Sequence, residues 1–127
     1  MALVNQKSAC YVGVFWDIRQ CGAGFYCPVD GELFVETEGD PNGTSYQSVH
    51  STGRINDGNP HDVEVARASG ALTIRIDDAL SGMGASSASL GTMPMLQIGT
   101  DACAAGNPAT AAFAAGTTLS DLCLTSP

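Results

Sequence analysis

Apolar and polar residues alternate with period two along most of the chain, and no segment sustains a 3.6-residue period. The clearest case runs from Asp62 to Asp77. Val63 and Val65 alternate with Asp62 and Glu64; beyond Ser69-Gly70, Leu72, Ile74 and Ile76 alternate with Thr73, Arg75 and Asp77. A two-residue turn at Ser69-Gly70 sets the register by arithmetic. Ala68 then faces Ala71, Val65 faces Ile74 and Val63 faces Ile76, while Glu64 meets Arg75 on the opposite side. Further strands are predicted at Ala2–Asn5, Tyr11–Arg19, Glu32–Thr37, Ser45–Ser51, Met95–Gly99 and Thr117–Thr125. Turn residues separate them, at Asp30-Gly31, Gly39-Asp40-Pro41-Asn42-Gly43, Asn56-Asp57-Gly58-Asn59-Pro60 and Gly106-Asn107-Pro108. Short strands at such spacing predict an all-β antiparallel sandwich or barrel. Ala104–Gly116 is alanine-rich, but Gly106, Pro108 and Gly116 leave room for about one helical turn. Ser81–Thr92, rich in Gly, Ser and Ala, reads as a flexible surface loop.

Length and composition narrow the class. At 127 residues the chain is sized for one domain, spanning 1–127, with no internal repeat or linker. With 44% apolar and 14% charged residues, neither disorder nor a coiled coil fits. Thirteen acidic residues against five basic ones give a net charge of −8, which argues against nucleic acid or an anionic membrane as a partner. No apolar run approaches the roughly 18 residues that span a bilayer. Low lysine content and five cysteines suit a secreted or cell-surface protein, although no signal peptide precedes the first strand.

Three stretches carry a family resemblance. NDGNPHDVEVARASGALTIRID, from Asn56 to Asp77, resembles the central signature of laminin G-like (LamG) domains, members of the concanavalin A-like lectin/glucanase superfamily. KSACYVGVFWDIR, from Lys7 to Arg19, is similar to the family's early strand pair and is closest in look to bacterial LamG-like proteins. Leu96 to Leu124 resembles its closing strands. Pro60 stands where the family usually carries an aromatic residue, and Asp78 where it usually carries glycine. The resemblance implies an antiparallel β-sandwich of concanavalin A-like, jelly-roll topology, trimmed at the N-terminus. It implies a noncatalytic extracellular binding or adhesion module that recognises a carbohydrate or protein ligand. A structural or assembly domain, or a glycoside hydrolase, are the alternatives.

Candidate chemistry is sparse. Hydrolytic members of the superfamily place paired acids on one strand. The nearest approach here is Glu32, Glu36 and Glu38, which share one face of a strand whose other face carries Leu33 and Val35. Alternation of that kind predicts a solvated acidic face, and no catalytic residue is assigned. The resemblance gives His61 a packing and hydrogen-bonding role at a turn-to-strand junction; His50 reads as an exposed strand residue. Calcium is the cofactor the loops would suit, with Asp40 and Asp101 as ligands, because hard cations take Asp and Asn oxygens on loops. Asn42-Gly43-Thr44 also matches a glycosylation acceptor. For ligand binding, Phe25 and Tyr26 lie on a loop between Cys21 and Cys27, and Tyr46 follows the loop bearing Asp40 and Asn42. Trp16 alternates with Val14 and Ile18 and reads as core.

The cysteines are Cys10, Cys21, Cys27, Cys103 and Cys123, none at CxxC spacing. The closing segment's Cys-to-Cys spacing, as in the family it resembles, suggests a Cys103–Cys123 bridge across 19 intervening residues. Closing such a loop would stabilise by about 3 kcal/mol on the chain-entropy account. Cys21–Cys27 would be a second bridge, leaving Cys10 free, with Cys10 paired to Cys21 or Cys27 as the alternative. Relative to the family pattern the chain starts several strands late. Ala2-Leu3-Val4 would then lie at an open sheet edge, and edges recruit other strands. A homodimer is therefore expected, with a glycan or an extracellular protein as the other partner.

Overall fold

The computed structural model describes residues 2–9, 12–18, 31–39, 45–89, 97–98, 118 and 120–123. These are all-β: eight antiparallel strands, with no helix among the described residues. The strands are β1 (Ala2–Ala9), β2 (Val12–Ile18), β3 (Glu32–Gly39), β4 (Gln47–Arg54), β5 (Val63–Ala68), β6 (Ala71–Ile76), β7 (Ala79–Ala85) and β8 (Gln97–Ile98). Five form one sheet in the order β4-β3-β2-β1-β8, and three form a second in the order β5-β6-β7.

The β5–β6 hairpin has the register read from the sequence: Ala68 with Ala71, Val65 with Ile74, Glu64 with Arg75 and Val63 with Ile76. Ser69 and Gly70 both take positive φ (51° and 76°), as a primed two-residue turn requires. The apolar side of this hairpin meets the larger sheet. Leu33, Val35 and Val49 from the larger sheet cluster with Leu72, Ile74 and Ile76 from the smaller one, and Ile55, Val63 and Val65 pack at the margin. Each fully buried aliphatic side chain is worth about 1.5–3 kcal/mol, so this cluster is the main tie between the sheets.

Where β3 pairs with β4 the register slips between Glu32 and Phe34. The buried Ser51 hydroxyl serves that slip. It accepts from the Leu33 N–H (2.9 Å) and donates to the Gly53 carbonyl (2.6 Å). A neighbouring hydroxyl, Ser81 Oγ, accepts from the Gly53 N–H at 3.0 Å.

Several expectations are corrected. Ser81–Thr92 was expected as a surface loop, yet residues 79–85 form β7, and Ser81, Ser86 and Ala88 are buried. Small residues are what this strand needs. A Cβ at Gly82 would fall 2.5 Å from the His50 carbonyl oxygen, and one at Gly84 would fall 2.7 Å from Val49 Cγ2. The composition that suggests mobility is here a consequence of close approach to β4.

The residues after β7 are held from three elements. Ser86 N–H donates to the Gly70 carbonyl (2.8 Å), and Arg67 Nε donates to Ser86 O and Oγ (2.9 and 2.8 Å). Arg67 Nη2 reaches the Ala88 carbonyl, Gln47 Oε1 accepts from the Ser87 N–H, and Thr37 Oγ1 bonds the fully buried Ser86 hydroxyl.

The solvated acidic face is also corrected. Glu32, Glu36 and Glu38 are 6%, 9% and 4% exposed, alongside Leu33 and Val35 at 0% on the other face. β3 is an interior strand with β2 and β4 along its two edges, so side chains of both neighbours flank its residues on either face. Period two reports which side a residue takes, not whether water reaches that side. Ala2-Leu3-Val4 is no edge either, because β1 runs between β2 and β8. Of the expected strand Thr117–Thr125, the described residues 118 and 120–123 form no strand.

Candidate functional site

Two polar clusters stand out. The first joins the loop before β5 to the turn between β6 and β7. Asp57 opens a turn in which its Oδ1 accepts from the Asn59 N–H (2.9 Å) and its Oδ2 from the Asn59 side-chain amide (3.0 Å). His61 follows, with its side chain only 15% exposed, and each ring nitrogen faces a carboxylate. Nδ1 lies 2.8 Å from Asp77 Oδ2 and Nε2 lies 3.0 Å from Asp57 Oδ1. Asp77 uses its other oxygen to accept from the Asp62 N–H (3.0 Å), and its own N–H donates to the Asp62 carbonyl (2.9 Å).

A neutral imidazole has one N–H and can satisfy only one of these carboxylates. The imidazolium satisfies both. The hydrogen bond to Asp77, then that to Asp57, therefore raise the His61 pKa above its ordinary 6.5. Asp57 is lowered to about 2, chiefly by the Asn59 backbone N–H and amide and then by His61. Asp77 is lowered mainly by His61 and then by the Asp62 N–H.

Stability linked to these groups has two flanks. The His61 contribution is complete below the unfolded value of 6.5 and is lost as pH rises through its raised folded value. The Asp57 contribution is present above its unfolded 3.8 and is lost as pH falls toward about 2. The urea midpoint is thus expected to be lower at about pH 8.5 than at about pH 5.5. His61→Gln should flatten that difference. An equal pH slope in both proteins would show that the clamp carries none of it.

The second cluster lies on the larger sheet. The buried Glu32 carboxylate sits 3.0 Å from Nδ1 of His50, whose side chain is 48% exposed on β4. Glu36 and Glu38 continue the row along β3, and the pairing sets Glu36 between Ser48 and Phe15 and Glu38 opposite Gly13. Carboxylates this deeply covered are costly unless partnered, which marks the face as more than solvated decoration.

Among the residues the sequence nominated for binding, Tyr46 is 45% exposed just ahead of β4. The Gly39 N–H donates to Ser45 Oγ at 2.7 Å, tying together the two ends of the segment that carries Asp40 and Asn42. Phe25, Tyr26, Asp40, Asn42, Asp101, Cys10, Cys21, Cys27 and Cys103 lie outside the described residues. Cys123 is an exposed free thiol. Among the described residues no group of three or more His, Cys, Asp or Glu is placed to hold a metal ion.

The two carboxylates on His61 were missed in the sequence, although one signal was available. Extending the hairpin register by one residue sets Asp62 opposite Asp77 and so brings Asp77 beside His61. Compared with known protein families, curated proteins and solved structures, the chain matches none.

Proposed function

We propose that the protein is a noncatalytic binding or adhesion module, a LamG-like β-sandwich of the secreted or cell-surface kind, which engages its ligand with the outer face of the three-stranded sheet. One observation supports this reading above the others. A register shift between Ile74 and Arg75 inserts an extra residue into β7, so that Leu80 pairs with Arg75 and Met83 pairs with Thr73. Strict alternation would send Leu80 and Met83 to opposite faces. The bulge brings both outward, at 56% and 68% exposure, and turns Gly82 and Gly84 toward β4. Two large apolar side chains exposed together on one sheet face make a recognisable interaction surface.

The test is binding without turnover. A glycan array, with and without chelator, and a panel of immobilised extracellular proteins are the probes. Saturable binding is expected, and a Leu80→Lys/Met83→Lys double variant should lose at least tenfold in affinity (about 1.4 kcal/mol) with its melting temperature held. Release of reducing ends from a polysaccharide would overturn the reading.

A glycoside hydrolase is the second reading, favoured by the burial of Glu32, Glu36 and Glu38 along one face of β3. Glu36 and Glu38 occupy alternate positions, whose backbones are about 6.6 Å apart, and paired glycosidase acids likewise sit close together on one face. Turnover abolished by Glu36→Gln would support it.

A further inference from the structure

Resting on the binding-module reading, the outer face of β5–β6–β7 shows which kind of partner it fits. Its middle carries small side chains, with Ala66 paired to Thr73 and Thr73 to Met83, and Leu80 follows opposite Arg75. At the end where β6 turns into β7, the surface dips into a cavity of about 150 Å³ lined by Asp62, Val63, Glu64, Arg75 and Asp78. Arg75 pairs with Leu80 in the ladder and also lines the cavity, so the apolar patch and the cavity adjoin.

Charge at this end is one-sided. Among the described residues, five carboxylates (Asp57, Asp62, Glu64, Asp77 and Asp78) gather there with His61 and Arg75 as their basic neighbours. His61 is consumed by Asp57 and Asp77. Arg75 is committed too, with Nη1 donating to the Asp78 carbonyl at 2.8 Å and Nε 4.0 Å from Glu64. The Asp62 and Asp78 carboxylates take no hydrogen bond or ion pair among the described residues. A second copy of this chain is itself at −8, so its approach to such an end is opposed by net charge. An apolar patch beside a cavity lined by three carboxylates and one guanidinium is complementary to an apolar side chain flanked by a lysine or arginine.

We propose that this face docks a basic protein segment, with an apolar side chain resting on Leu80 and Met83 and a lysine or arginine entering the cavity between Asp62, Glu64 and Asp78.

The probe is a synthetic peptide of alternating lysine and leucine, titrated into the intact protein and followed by backbone amide NMR shifts at low and high salt. Shifts confined to β5–β7 and the turn at Asp77-Asp78 are expected. Leu80→Ser/Met83→Ser should weaken binding about tenfold, and Asp62→Asn/Glu64→Gln/Asp78→Asn by a similar factor while flattening the salt dependence. The same peptide with glutamate for lysine, or serine for leucine, should bind at least tenfold more weakly.

Absence of binding would overturn the proposal, as would shifts scattered over the acidic surface or affinity unchanged in both variants. Glycan or protein binding lost in the Leu80→Lys/Met83→Lys variant, with no peptide binding to the parent, would sink this inference and keep the binding-module reading. Polysaccharide turnover would sink that reading and leave the peptide titration to stand by itself.

Discussion

Replacing Gly82 by valine is expected to lower folding stability by about 3 kcal/mol, toward the upper end of what overpacking costs. The first added carbon would already sit 2.5 Å from the His50 carbonyl oxygen. That oxygen belongs to the backbone of β4, which cannot swing aside like the end of a flexible side chain. Relief requires the two sheets to separate, which uncovers Val49 and loosens the cluster of Leu33, Val35, Leu72, Ile74 and Ile76. Ala85→Val, on the same strand at an exposed position, is the control and should change stability by no more than about 0.5 kcal/mol. Urea denaturation of the two variants decides the matter. Equal midpoints would mean that β7 does not lie against β4.

Arg67→Met is expected to cost about 2–3 kcal/mol. Methionine keeps an apolar stem of comparable length, so the loss isolates the guanidinium. Three donations disappear, two from Nε to Ser86 and one from Nη2 to the Ala88 carbonyl. Bonds to a charged donor are individually worth about 1.5–3 kcal/mol, and Ser86, at 0% exposed, has no water to replace them. Lysine should rescue little, because a single ammonium cannot span both carbonyls. Hydrogen exchange should localise the effect, with the Ser86 and Ala88 amides deprotected before the β5–β6 hairpin. A variant within about 0.5 kcal/mol of the parent would show that Gly70, Gln47 and Thr37 hold the segment unaided.

Arg67 also illustrates why some of the fold was legible and some was not. Its position on the hairpin follows from Ser69-Gly70 and the alternation around it, all within a few residues. Its partners at Ser86 and Ala88 lie on a segment whose Ser, Gly and Ala content suggested a loop. Composition there was read as propensity, when the small side chains answer a steric demand from β4. The clamp at His61 divides in the same way. Asp57 stands four residues before it and Asp77 follows from the hairpin register, so both were within reach of sequence arithmetic. That each ring nitrogen would meet one of these carboxylates, and so raise the His61 pKa, was not.

The strand class, the β5–β6 register and the turn that sets it are legible in local pattern, because period-two alternation and a two-residue turn act over short separations. The net charge of −8 is likewise a matter of composition alone. The burial of Glu32, Glu36 and Glu38, the interior place of β1, and the bulge that brings Leu80 and Met83 to one face arise from long-range packing. Alternation assigns a side chain to one of two faces. Whether that face meets water, another sheet or a neighbouring strand depends on residues tens of positions away, whose approach local pattern does not encode.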